Sequence, residues 1–287
     1  RMPIERYGDM SSLRDLKSRV GPFILRRLKT DKAIISDLPE KVELSEWVGL
    51  SKEQKSLYAK TVEDTLDAIA RAPRGKRHGQ VLGLLTRLKQ ICNHPALALK
   101  EKDASDDFLQ RSVKLQRLEE ILEEVIEAGD RALLFTQFAE WGTLLQEYLQ
   151  RRWRSEVPFL SGSTSKTERQ AMVDRFQEDP RGPQLFLLSL KAGGVGLNLT
   201  RASHVFHIDR WWNPAVENQA TDRAYRIGQT NRVMVHKFIT SGSVEEKIDR
   251  MIREKSRLAE DIVGSGEEWL GGLEMGQLKE LVSLEDN

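Results

Sequence analysis

Between residues 114 and 238 the sequence alternates helical patterns with short, continuously apolar runs, and no other feature restricts the possible folds as tightly. Leu115, Leu118, Ile121, Leu122 and Val125 recur at helical spacing ahead of Gly129, and residues 132–135 follow as an unbroken apolar run. Residues 137–153 read as a helix and 158–160 as a short strand, with Ser165 and Glu168 as the capping box of a further helix toward Phe176. The next apolar runs are 185–188, 204–208 and 233–238. Strands that are apolar on both sides and joined by helices imply an α/β fold, a parallel sheet covered by helices on both faces. Ligands of such sheets bind outside the carboxyl ends of the strands.

The first hundred residues show no such alternation and read as helical and irregular. Ser51 and Gln54 form a capping box for a helix carrying Leu57, Tyr58, Val62, Leu66 and Ile69, which Pro73 and Gly75 break. A second helical stretch, 81–92, stops at Asn93-His94-Pro95, because a residue before proline is pushed out of the helical region. The pair reads as a helical hairpin with a basic tip, followed by a polar loop at 103–108.

Composition excludes several classes. The 287 residues contain no run of the roughly 18 apolar residues that a spanning helix needs and no apolar signal-peptide core at the start, so a cytosol-like location without membrane contact is expected. A single cysteine, Cys92, rules out an internal disulfide, and Cys92 with His94 lacks the further ligands of a metal site. The net charge is 45 − 44 = +1, but its distribution is uneven. Residues 69–90 carry Arg71, Arg74, Lys76, Arg77, Arg87 and Lys89 with no acid, which fits a solvated loop or a phosphate-facing surface. Residues 261–287 carry seven acids against Lys279 and read as a solvated tail.

Two loops at the predicted carboxyl edge carry the candidate chemistry. After the run at 185–188 comes a loop with Gly193, Gly194 and Gly196, whose backbone can either make a tight turn or face phosphate oxygens. After the run at 204–208, Asn213 as N-cap, Pro214 at the first helical position and Gly228 beyond the end frame a helix of three to four turns. In that helix Gln219, Arg223 and Arg226 would share one stripe, either gripping a polyphosphate or forming an exposed face paired with Glu217 and Asp222. Trp211 and Trp212 are neighbours on a strand end, so one of them should be exposed and able to stack on nucleic acid. The segment 162–167 ends in Lys-Thr but lacks the glycine spacing of a Walker A loop, and none occurs elsewhere in the chain. Nothing suggests nucleophilic catalysis.

The run 209–229 (DRWWNPAVENQATDRAYRIGQ) resembles motif VI, with its preceding tryptophan segment, of the SWI/SNF-like ATPases in helicase superfamily two. Residues 188–200 (LSLKAGGVGLNLT) are similar to that family's motif V and residues 131–141 (RALLFTQFAEW) to motif IV. Phe23 to Lys29 with Leu38 and Pro39, and the stretch RLKQICNHP at 87–95, resemble its inter-lobe segment and lobe-two insertion. The resemblance implies a RecA-like second lobe with a mostly helical N-terminal insertion. It divides the chain into an inter-lobe segment (1–50), a helical protrusion (51–110), the RecA-like C-terminal lobe with motifs IV, V and VI (111–242), and a C-terminal helix and tail (243–287). The family keeps its Walker A lysine and its Asp-Glu motif in the first lobe, so this chain is expected to be a fragment of a longer polypeptide, inactive alone.

By the same resemblance, Arg223 and Arg226 are arginine fingers for ATP with Mg2+, held mainly by the first lobe, with Gln219 near the γ-phosphate. Gly193, Gly194, Gly196 and Asn198 link nucleotide state to DNA grip, and Thr136, Gln137, Ser189, Lys191 and Trp212 touch the DNA. The expected partners are double-stranded DNA, the first lobe, and a nucleoprotein or polymerase complex that the motor displaces. The expected setting is the bacterial cytoplasm at the nucleoid, or the nucleus of a eukaryote. The alternatives are a strand-separating helicase lobe and a nucleotide-independent DNA- or protein-binding module. The stripe of Ile248, Met251, Ile252 and Leu258, opened by Ser243 and Glu246, either packs on its own sheet or braces lobe one; exposed, it would make the fragment self-associate.

Overall fold

The computed structural model describes residues 38–190, 196–258 and 273–285. Residues 39–287 form one compact unit, distinct from residues 1–38. Its core is a six-stranded sheet, in which β1 is Lys41–Val48, β2 Ala132–Thr136, β3 Phe159–Leu160, β4 Leu185–Ser189, β5 His204–His207 and β6 Val233–Thr240. The strands are ordered β1-β6-β5-β2-β4-β3 and every neighbouring pair is parallel. The helices are α1 (Lys52–Arg71), α2 (Arg74–Asn93), α3 (Pro95–Leu99), α4 (Val113–Glu127), α5 (Ala139–Trp153), α6 (Lys166–Glu178), α7 (Pro214–Thr221), α8 (Val244–Leu258) and α9 (Met275–Val282).

The apolar runs become strands for the expected reason: every residue of β2 and β4 is buried. Alternate side chains go to opposite faces. Ala132, Leu134, Leu185, Leu187, Phe206 and Phe238 join α4 and α5 in one core, while Leu133, Phe135, Phe186, Leu188, Val205 and Val235 join Phe176 of α6 in the other. Each such side chain contributes roughly 1.5–3 kcal/mol on burial. The capping boxes form at Ser51–Gln54 and Ser165–Glu168. Gly129 ends α4 with φ +75°, a conformation that favours glycine.

Several expectations need correction. β1 falls in the stretch expected to be irregular and inter-lobe, yet it pairs with β6 along its full length, from Lys41 opposite Val233 to Val48 opposite Thr240. It is an edge strand with three exposed residues in succession, so its apolar pattern is diluted. α2 begins at Arg74, directly after Pro73, instead of at 81; Gly75 is accommodated because a helical glycine costs only about 1 kcal/mol, against burial of Ile69, Val81, Leu84, Leu85 and Leu88 between the two helices. Residues 275–282 of the expected tail form α9, with Leu278, Leu281 and Val282 buried.

These elements make a third core: Tyr58 of α1, Leu85 and Leu88 of α2, Val244 and Ile248 of α8, and Leu278 and Val282 of α9, with Met251 and Ile252 packed against it. Ile248, Met251 and Ile252 of the apolar stripe of α8 are therefore covered by the insertion helices and α9, while the Leu258 side chain lies outside the described residues. These three are neither spread over the sheet nor exposed, which removes their part in the expected self-association. At the start of α8, Ser243 Oγ accepts from Glu245 N (3.1 Å) and the Glu246 carboxylate reaches back to Gly242 N (2.7 Å), one residue earlier than a capping box would have it.

Candidate functional site

The carboxyl ends of β2, β4 and β5 place Thr136 and Gln137, Ser189, and the segment 209–212 along one edge of the sheet. The Asp209 carboxylate, 1 % exposed, is the junction of that edge. One oxygen accepts from Thr136 Oγ1 (2.6 Å) and Asn93 Nδ2 (3.1 Å), the other from Gln137 N (3.0 Å) and Gln137 Nε2 (2.8 Å). Four donors supply the lone-pair partners that a buried carboxylate requires. The network continues through Asn93 Oδ1 to Lys114 Nζ (3.0 Å), which also donates to both Glu245 oxygens (2.8 Å each) and to Ile208 O (3.1 Å). On the other side, Gln137 Oε1 accepts from Lys89 Nζ (2.9 Å), whose ammonium stands 5.8 Å and 5.2 Å from the ring centres of Trp211 and Trp212.

The residues expected to touch DNA differ in exposure. Thr136 and Ser189 are buried, at 0 % and 5 % exposure, so neither side chain faces solvent, and the Thr136 hydroxyl is engaged with Asp209. Gln137 is half-buried. Trp211 and Trp212 are both half-buried too, against the expectation that one would be exposed; Trp211 packs on the sheet core and Trp212 on the insertion core. Lys89, counted above in the basic stretch 69–90, is 1 % exposed and faces inward. Lys191, Gly193 and Gly194 lie outside the described residues, as does the 23–29 segment. Gly196 has φ +47° and, like Asn198, is exposed.

The helix after β5 is shorter than expected. Asn213 caps it by accepting from Ala215 N (3.0 Å), with Pro214 at the first position, but α7 ends at Thr221. Carbonyls that a longer helix would need are captured from elsewhere: Leu199 N donates to Arg223 O (2.9 Å), and Gln229 Nε2 donates to Ala224 O (3.2 Å). The single stripe of Gln219, Arg223 and Arg226 is therefore broken. Gln219 lies exposed on α7, while Arg223 and Arg226 lie in the turns that follow, the first 7 % exposed and the second exposed.

Arg223 Nε is buried with no hydrogen-bond partner, and among the described residues neither arginine is ion-paired. Burial first, then the charge of Arg226, pull the Arg223 guanidinium below its usual pKa, with Asp222 opposing. Two like charges held close, one with an unused donor, form an arrangement that an anion would relieve. The alternative pairing with Glu217 does not occur, because Glu217 is engaged by Arg210: Nε to Oε1 at 2.9 Å and Nη2 to Oε2 at 3.3 Å, with Trp211 N on Oε1 at 2.9 Å. Burial would raise the pKa of Glu217, but the Arg210 guanidinium outweighs it and holds the carboxyl below its usual range. Arg210 also pairs with Asp249 of α8. Sequence reading missed Asp209, Arg210, Asn93, Lys114 and Glu245. Three of them, Asn93, Asp209 and Arg210, lie inside quoted motifs, the only signal available.

Two buried histidines support the scaffold. His94 Nε2 bonds to Phe108 O (2.8 Å) and its Nδ1 accepts from Ala96 N (3.0 Å), which requires a neutral ring. His207 Nε2 lies 2.9 Å from Thr221 Oγ1. Burial above all pushes both down to about 4 from 6.5. Between those pH values the unfolded chain takes up protons that the folded chain refuses. The free energy of unfolding is thus expected to fall as pH drops from about 6.5 to 4, and to be insensitive to these two groups above that window. Chemical unfolding measured in steps across the window checks this; a flat profile would contradict it.

Residues 113–228 match the model of the helicase conserved C-terminal domain and residues 2–97 that of the SNF2-related domain. Bacillus subtilis YwqA, described as a candidate ATP-dependent helicase/translocase, is 47% identical over 283 residues, 99% of this chain and 30% of its own length. The Sulfolobus solfataricus SWI2/SNF2 ATPase core, solved in complex with dsDNA, is 42% identical with a TM-score of 0.76, over 99% of this chain and 58% of that one. The C-terminal domain of the Sulfolobus SWI2/SNF2 ATPase is 39% identical with a TM-score of 0.73, over 86% of this chain and all of that one. The chain thus spans about a third of the curated relative and somewhat over half of the ATPase core. With that domain matched over its whole length, the chain belongs to the SWI2/SNF2 ATPase family and carries its RecA-like C-terminal domain.

Proposed function

We propose that this chain is the second motor lobe of an ATP-dependent translocase of double-stranded DNA. The observation that carries the reading is the Arg223–Arg226 pair: two guanidiniums in the turns after α7, without ion-pair partners among the described residues, one with a buried unused Nε. That arrangement fits a triphosphate, whose oxygens match the guanidinium fork. ATP, when bound, supplies the phosphoryl group and its hydrolysis. The part of this chain is to neutralise charge with Arg223 and Arg226, with Gln219 near the γ-phosphate. ATP with Mg2+ would be held mainly by the first lobe.

The backbone bond from Leu199 to Arg223 gives motif V a direct mechanical path to the arginines, so Gly196 and Asn198 can report on nucleotide state. DNA contact falls to Trp212, Gln137 and Lys191, with Thr136 and Ser189 acting through position. Such contacts follow phosphates and not bases, so binding should weaken steeply with salt and vary little with sequence. Among the described residues no helix is long and apolar enough to cross a membrane.

The test is ATP hydrolysis with and without duplex DNA, by this chain alone and by the complete protein. Hydrolysis by the complete protein that DNA accelerates, with none by the chain alone, is the expected result. Equal hydrolysis by the chain alone would sink the two-lobe reading, and duplex unwinding without translocation would favour the helicase alternative.

A further inference from the structure

Helix α2 presents two buried polar side chains one turn apart, Lys89 at 1 % exposure and Asn93 at 0 %, to the carboxyl edge of the sheet. A lysine this deeply buried is rare unless a specific partner holds it. Lys89 Nζ bonds to Gln137 Oε1 at 2.9 Å and stands over both indoles, 5.8 Å from Trp211 and 5.2 Å from Trp212. The Gln137 amide can be assigned from chemistry. Its NH2 must face the Asp209 carboxylate (2.8 Å) and its oxygen the Lys89 ammonium; the flipped amide would set oxygen against carboxylate and NH2 against ammonium. Asp209 therefore orients Gln137, Gln137 holds Lys89, and Lys89 sits against two indoles that diverge into separate cores. A cation within about 6 Å of an aromatic face, shielded from water, is a substantial attraction.

We propose that Lys89 is a positioning residue of the motor: its ammonium fixes the Trp211–Trp212 step in the pose from which Trp212 engages DNA, which makes the helical insertion part of the DNA-coupling machinery. This rests on the DNA-contacting role assigned to Trp212 above. The insertion joins the strand ends at two points, Lys89 to Gln137 and Asn93 to Asp209, so a shift of the indoles on DNA is transmitted to α2. The residue acts through Trp212.

A double-mutant cycle on the complete protein containing this chain tests the proposal, with the DNA concentration giving half-maximal ATPase stimulation as readout. Lys89→Met is expected to raise that concentration about fivefold. Trp212→Ala should raise it by at least as much, and the double variant should be no worse than Trp212→Ala. In the absence of DNA, Lys89→Met should also shift the indole fluorescence, and the shift should vanish when Trp211 and Trp212 are both phenylalanine. Should Lys89→Met prove unstable, Lys89→Gln, which keeps a hydrogen-bonding end without the charge, gives the same reading. Additive effects in the cycle, an unshifted fluorescence, or a neutral Lys89→Met beside an impaired Trp212→Ala would overturn the inference and leave the DNA role of Trp212 standing. A neutral Trp212→Ala would overturn that role and this inference together.

Discussion

Arg223→Ala in the complete protein is expected to lower DNA-stimulated ATP hydrolysis by roughly 10³-fold or more, the range measured for removal of arginine fingers in other NTPases. Arg226→Ala should fall in the same class. Arg223→Lys should recover little, because an ammonium lacks the planar fork that meets two phosphoryl oxygens at once. The loss should lie in kcat, since stabilisation of charge developing in transfer acts on the chemical step more than on nucleotide affinity. Stability supplies the discriminating control. Most buried polar side chains destabilise when removed, because their partners are left unsatisfied. Arg223 is buried with its Nε unbonded and beside the like charge of Arg226, so its removal relieves a desolvated charge. The thermal midpoint should therefore stay level or rise while activity collapses. Retained hydrolysis, or a parallel loss of stability and activity, would make Arg223 a structural residue.

Which parts of this molecule were legible in the sequence follows from which interactions are local. The runs at 132–135 and 185–188 need no partner to be recognised, since a strand covered on both faces is apolar throughout. The capping boxes at Ser51 and Ser165 are equally local. β1 was hidden because edge position leaves Glu43, Leu44 and Ser45 exposed in succession, which erases the alternation that would mark it. The end of α7 could not be read from Gly228, since the carbonyls of Arg223 and Ala224 are taken by Leu199 and Gln229. The resemblance to motif VI directs attention to Arg223 and Arg226, but that one is buried and the other exposed depends on this tertiary capture. The Asp209 junction is the extreme case: its donors come from residues 93, 136 and 137, and no periodicity within the chain foretells their meeting.

The same remoteness makes the Lys114–Glu245 pair the most sensitive point of the scaffold. Lys114 lies in α4 and Glu245 at the start of α8, both side chains at most 2 % exposed and joined at 2.8 Å, so the pair ties the sheet core to the core built by the insertion and C-terminal helices. Water cannot take the place of a lost partner there. Lys114→Ala would leave the Glu245 carboxylate charged and buried with only Thr240 N (3.0 Å) as a donor from the backbone beside it, and would remove the ammonium from Asn93 Oδ1 and Ile208 O. A cost of about 3–5 kcal/mol in unfolding free energy is expected, measured by chemical denaturation. Glu245→Ala should cost a similar amount by stranding the ammonium. Lys114→Met combined with Glu245→Leu should cost clearly less than either single change, because apolar groups of similar volume remove both charges together. That ordering separates a desolvated ion pair from simple loss of packing, in which the double variant would be the least stable of the three. If Asn93 is held in place by Lys114, the apolar double variant should also slacken the Asn93 bond to Asp209. A fold restored in stability but needing more DNA for half-maximal stimulation would then mark the pair as a link in the coupling path as well as a clamp between cores.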